Sequence, residues 1–125
     1  MDLNQVTLTV DDMEDGIAFY TRLGLKLIVH THDRYARFEL PDGSATLSLH
    51  VGPRPAGGGP CLYFECDDLD ARYEALRAAG VAFDGPPRDQ SWRWREAWFA
   101  DPAGNRLCLY HAGPDRRFPP WRKDG

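Results

Sequence analysis

The chain is written twice, and that repetition limits the folds open to it more than any other feature. Val10-Asp11-Asp12 precedes a helical pattern closed by Gly24, and Cys66-Asp67-Asp68 precedes another closed by Gly80, so both landmarks recur 56 residues on (66 − 10 and 80 − 24). Further along, Leu47-Ser48-Leu49 matches Leu107-Cys108-Leu109 at an offset of 60 (107 − 47), which implies a four-residue insertion in the second copy, near Pro86-Pro87. A long period with only two copies reads as a duplicated supersecondary unit, not a solenoid.

Each copy opens in the same way. Val6, Leu8 and Val10 alternate with Gln5, Thr7 and Thr9, the period of a half-buried strand. Asp11 and Asp12 then offer N-cap oxygens, Met13, Ile17, Tyr20 and Leu23 make an apolar helical stripe, and Gly24 suits a left-handed C′ position. The second copy repeats this with Leu62, Phe64 and Cys66, then Leu69, Tyr73, Leu76 and Gly80. Three further strands are expected after each helix: about 26–32, 35–40 and 45–51 in the first copy, and about 82–83, 96–100 and 106–111 in the second. Pro41-Asp42-Gly43 and Asp101-Pro102-Ala103-Gly104-Asn105 are the turns before the last strand of each. The expected architecture is α+β, two tandem βαβββ modules over 3–52 and 60–112 in one domain spanning 1–112. The proline- and glycine-rich run 52–60 links them, and a proline-rich basic tail, 113–125, follows. Trp121 is expected to anchor that tail across the domain or on a neighbouring chain.

Composition removes several classes of function. Fifteen Lys+Arg against nineteen Asp+Glu give a net charge of −4, without the dense basic stretch a nucleic-acid backbone requires. The apolar runs are too short for a membrane span, and Met1-Asp2-Leu3-Asn4-Gln5 lacks the features of a secretory leader. Cys61, Cys66 and Cys108 are odd in number and show no paired spacing, which points to free thiols in a cytoplasmic protein.

Three segments carry a family likeness: Val6–Gly24 with its Val-Asp-Asp…Phe19-Tyr20…Leu23-Gly24 pattern, Phe64-Glu65-Cys66-Asp67-Asp68-Leu69, and Asp101-Pro102-Ala103-Gly104-Asn105 before an alternating strand. With these the chain resembles the vicinal oxygen chelate superfamily, which groups glyoxalase I, extradiol dioxygenases and bleomycin-resistance proteins. The resemblance implies two βαβββ modules forming a curved mixed sheet around a cavity. It also implies metal-ligand positions on the first and last strands of each module, which here are Gln5, Ser48, Cys61 and Cys108. An amide, a hydroxyl and two thiols are a poor set for nickel, iron or manganese, which favour imidazole and carboxylate. The reading is therefore a cavity with no metal cofactor. The alternative is a divalent metal at a displaced site, His50, Glu65 and Glu96, serving a lyase, isomerase or dioxygenase.

Without a metal, the expected lining is Gln5, Thr7, Thr9, Ser48, His50, Cys61, Tyr63, Glu65, Cys108 and Tyr110, suited to a small organic molecule with a few polar groups. Trp92, Trp94 and Arg95, in the run Ser91–Phe99, are added as stacking and pairing groups. Drug-sequestering resistance proteins are the functional model that the resemblance suggests, and a homodimer is the expected assembly.

Overall fold

A computed structural model of the chain describes residues 1–123. The elements follow one another as β1 (Gln5–Val10), α1 (Met13–Arg22), β2 (Lys26–Thr31), β3 (Tyr35–Glu39), β4 (Thr46–Val51), β5 (Leu62–Glu65), α2 (Leu69–Ala78), β6 (Arg88–Asp89), β7 (Arg95–Ala100) and β8 (Arg106–His111). They form two four-stranded sheets of identical topology, β1-β4-β3-β2 and β5-β8-β7-β6. The duplication therefore holds in three dimensions, down to the strand register. Val6 and Leu8 lie opposite Leu47 and Leu49 in the parallel pair β1·β4, and Leu62 and Phe64 lie opposite Leu107 and Leu109 in β5·β8.

The chain divides into two compact units: residues 1–60 with 100–105, and 61–99 with the stretch from Arg106 onward. In the first, Asp12 caps α1, its carboxylate accepting the Asp15 N–H at 3.0 Å, and Gly24 takes φ +103 just past the C-cap. The stripe packs Met13, Phe19 and Tyr20 onto Leu8, Val10, Phe38, Leu47 and Leu49, all buried. Gly16 completes the contact, since a Cβ there would come within 3.0 Å of Leu49. The turn carrying the Asp-Pro-Ala-Gly-Asn motif belongs to this unit. Buried Asp101 accepts the Tyr20 hydroxyl at 2.7 Å, the backbone N–H groups of Ala103 and Asn105 at 3.0 and 2.9 Å, and the Asn105 amide at 2.9 Å. Asn105 in turn donates to the Thr9 carbonyl at 2.9 Å. The motif is thus a polar rivet on α1 and β1. Burial, with the Asp101 charge adding to it, drives the Tyr20 phenol well above its ordinary range.

In the second unit Leu69, Tyr73 and Leu76 of α2 are buried against the sheet, as their spacing requires. Two details depart from expectation. The strand expected at 82–83 is a single bridge from Phe83 to Phe99, and the pairing strand is the later β6, directly after Pro87. The two prolines at 86 and 87 have no N–H to give a ladder, so pairing resumes only beyond them. The tail forms a 3-10 turn, Gly113–Asp115, and then folds on itself, with the Arg122 guanidinium 4.4 Å over the Phe118 ring. Trp121 stays exposed. Asp124 and Gly125, the end of that expected tail, lie outside the described residues.

Among the described residues no helix is long and apolar enough to cross a membrane.

Candidate functional site

Strand alternation gives each sheet one face for its helix and one open face. The two open faces differ sharply in chemistry.

In the first unit the open face is polar. Gln5 Nε2 donates to Ser48 Oγ at 2.7 Å, and the Gln5 carbonyl accepts from the Thr46 hydroxyl. Ser48, fully buried, also meets the Tyr35 hydroxyl at 2.7 Å, and Arg37 Nε donates to that phenol at 2.9 Å. The hydrogen bond with Ser48 lowers the Tyr35 phenol below its usual range; burial opposes this, and Arg37 adds to the lowering. Thr9 Oγ1 and His50 Nε2 pair at 2.9 Å nearby, and Thr7 lies 3.4 Å from the Gln5 amide. Tyr35 and Arg37 were absent from the expected lining. They lie opposite His50 and Ser48 in the β3·β4 ladder, so counting back across the 41–43 turn would have found them.

In the second unit the open face is aromatic. Tyr63 meets Trp94, Trp98 and Tyr110 edge-on, with centroids 5.8, 5.4 and 5.7 Å away, and Trp94 stacks on Tyr110 at 4.6 Å. Cys108 lies buried in this cluster. Glu96, only 5% exposed, accepts the indole N–H of Trp98 at 3.0 Å on one oxygen and that of Trp92 at 2.9 Å on the other. Trp92 stands on a tight hairpin, where Gln90 and Arg93 close a turn and Arg93 takes φ +71. Beside this cluster lies a cavity of about 550 Å³ lined by Asp84, Arg88, Glu96, Trp98 and Arg106 among others. Burial and the Glu96 charge push the Cys108 thiol up to about 12. Burial, followed by the neighbouring sulfurs and Glu96, also raises the Tyr63 phenol.

The expected residues thus sort into several groups. Gln5, Thr7, Ser48 and His50 share the polar face, while Tyr63, Trp94, Cys108 and Tyr110 share the aromatic one. Cys61 is exposed and precedes β5. Arg95 is not a neighbour of Trp94 on the open face. Its guanidinium pairs with Asp70 of α2 at 3.0 Å and with Asp89 at 3.1 Å, which places it on the helix side. Alternation along Trp94-Arg95-Glu96 forces this. Glu65 accepts the Ala112 and Gly113 N–H groups at 2.7 and 2.9 Å and so ties down the start of the 3-10 turn.

These residues do not fit a metal ion. Among the described residues no group of three or more His, Cys, Asp or Glu is placed to hold one. Gln5 and Ser48 are neutral and bonded to each other, and Cys108 stays a protonated thiol at neutral pH. In the displaced set, Glu65 is committed to backbone N–H groups and His50 Nε2 to the Thr9 hydroxyl.

A family model described as Glyoxalase/Bleomycin resistance protein/Dioxygenase superfamily matches residues 2–109. Among solved structures, the chain is similar to a glyoxalase/bleomycin resistance protein/dioxygenase from Nocardioides, with 27% identity, a TM-score of 0.74, and coverage of 90% of this chain and 83% of that one. It is similar to a bleomycin-binding protein complexed with bleomycin (23% identity, TM-score 0.73, 89% of this chain and 98% of that one). It is also similar to a lactoylglutathione lyase from Agrobacterium tumefaciens (20% identity, TM-score 0.74, 88% and 92%). The last two likenesses share a fold but carry a binder's name and an enzyme's name, so the choice between them rests on side chains.

Proposed function

The chain belongs to the glyoxalase/bleomycin resistance protein/dioxygenase superfamily, and from that premise we propose that it binds a small organic molecule in a cavity of its second sheet, without a catalytic metal. The observation that carries this reading is the aromatic cluster Tyr63–Trp94–Trp98–Tyr110 beside a cavity of about 550 Å³, within the usual size range for small-molecule sites. Two tryptophans whose N–H groups are already bonded to Glu96 are held in place before a ligand arrives, so little ordering is needed on binding. The polar face of the first unit, with Gln5, Ser48, Tyr35 and Arg37, offers hydrogen-bonding groups of its own. Binding by a bleomycin-binding protein of the same fold supports the same class of role. The proposed setting is the cytoplasm, supported by three free thiols, and the proposed assembly is a homodimer.

The test begins with protein purified without chelator or affinity tag. The expected result is no stoichiometric iron, manganese, nickel or zinc, and a melting temperature unchanged by EDTA or added divalent ions, since a ligand specific for the native state raises it. A library of small planar compounds should contain some that change tryptophan fluorescence. Stoichiometric metal that is lost in His50→Ala, or a library without effect, overturns the reading. A sedimentation mass of one chain at tens of micromolar overturns the dimer.

A further inference from the structure

We infer that the cavity of the second unit takes an organic cation, a protonated amine or a quaternary ammonium, with Glu96 as its counter-ion. This rests on the ligand-binding reading above and names the ligand class. Glu96 lines the cavity, is 95% buried, and has no ion-pair partner among the described residues. Among the described residues its side-chain partners are two neutral indole N–H groups. A carboxylate offers about four acceptor positions, so two remain open. A buried charge balanced only by neutral dipoles is costly to maintain and attracts a cation of the right shape.

The two guanidinium groups in the same cavity leave this demand unmet. Arg106 is held by Asp84 at 2.5 Å, so its charge is already matched. Arg88 lies directly opposite Glu96 in the β6·β7 pair but makes no ion pair with it, and its side chain is exposed, where water and salt screen it. The two indole N–H groups hold the Glu96 carboxylate in the cavity wall. An anion would have to enter beside a buried, unpaired carboxylate.

The experiment titrates isotope-labelled protein with three probes of one shape, benzyltrimethylammonium, benzyl alcohol and benzoate, and follows the indole N–H signals of Trp92 and Trp98 by NMR. The cation should bind at least about tenfold more tightly than either other probe. Glu96→Gln should erase that preference, with a thermal melt confirming that the variant folds. Arg88→Gln, at an exposed site, should leave cation binding intact or tighten it. Benzoate or the alcohol binding as well as the cation overturns the proposal and leaves the ligand-binding reading standing. An unchanged preference in Glu96→Gln, weaker cation binding in Arg88→Gln, or no shift of either indole with the cation overturns it as well. In the last case the compound library and metal analysis still decide the broader reading separately.

Discussion

Replacing Tyr20 by Phe removes one oxygen and leaves the ring in place against Phe19 and Phe38. The lost group donates to buried, charged Asp101 at 2.7 Å, and Asp101 keeps its two backbone donors and the Asn105 amide. A hydrogen bond to a charged acceptor is worth about 1.5–3 kcal/mol, so the variant should lose about 2 kcal/mol at neutral pH. For 125 residues the unfolding entropy near the midpoint is about 0.26 kcal/mol per kelvin, so the melting temperature should fall by about 8 °C. The sign of the pH dependence is fixed by the raised phenol. A group whose folded pKa lies above its unfolded value stabilises fully below the unfolded value, here 10.0, and loses that stabilisation as pH rises further. Each pH unit above 10.0 removes about 1.4 kcal/mol from the wild type and nothing from the variant. The gap between the two should therefore narrow from about 2 kcal/mol at neutral pH to about 0.6 kcal/mol near pH 11. Urea titrations of both proteins at the two pH values measure it. A melting temperature within about 2 °C of wild type, or a gap unchanged near pH 11, refutes the rivet.

Three other outcomes are expected. A disulfide reagent at mildly alkaline pH should label exposed Cys61 quickly and Cys108 only on unfolding, because that thiol is buried and pushed up to about 12; loss of the fast phase in Cys108→Ser would contradict this. His32 and Asp33 make the β2–β3 turn with φ +49 and +55, and His32→Gly should stabilise by about 0.5 kcal/mol, the left-handed cost relieved less the added freedom of the unfolded chain; a lower urea midpoint would contradict it. The Tyr35 phenol, isolated as the difference in phenolate absorbance between wild type and Tyr35→Phe, should ionise below the usual tyrosine range, and Ser48→Ala or Arg37→Gln should raise it; ionisation at or above that range in the wild type refutes the two-donor arrangement.

The repeat was legible because its marks are local. A capping Asp, a stripe at helical spacing and a left-handed Gly at positions 24 and 80 each act within a few residues, and the strand registers then follow. The insertion proved to be two events that local pattern could not separate. Burial matches Ala36 and Phe38 to Ala97 and Phe99, an offset of 61 (97 − 36), while the last strands keep 60. Five residues enter before β7 and one leaves the following turn. The site was legible by face but not by partner. Cross-strand neighbours such as Tyr35 and Arg37 depend on turn length, and the bonds to Glu65 come from groups 47 and 48 residues away, those to Glu96 from four and two. Arg95 is the exception, since alternation with Trp94 places it on the far face by rule.

The Asp101 turn also orders events in time. The first compact unit draws residues 100–105 from late in the sequence, and Tyr20, deep in its interior, has its acceptor there. While the ribosome has delivered only the first sixty residues, that hydroxyl has no carboxylate to meet, and burying it unpaired is unfavourable. The leading half gains this tie only once the trailing half has emerged, so a gene split at the linker should give an amino-terminal fragment less stable than the same residues in the whole chain.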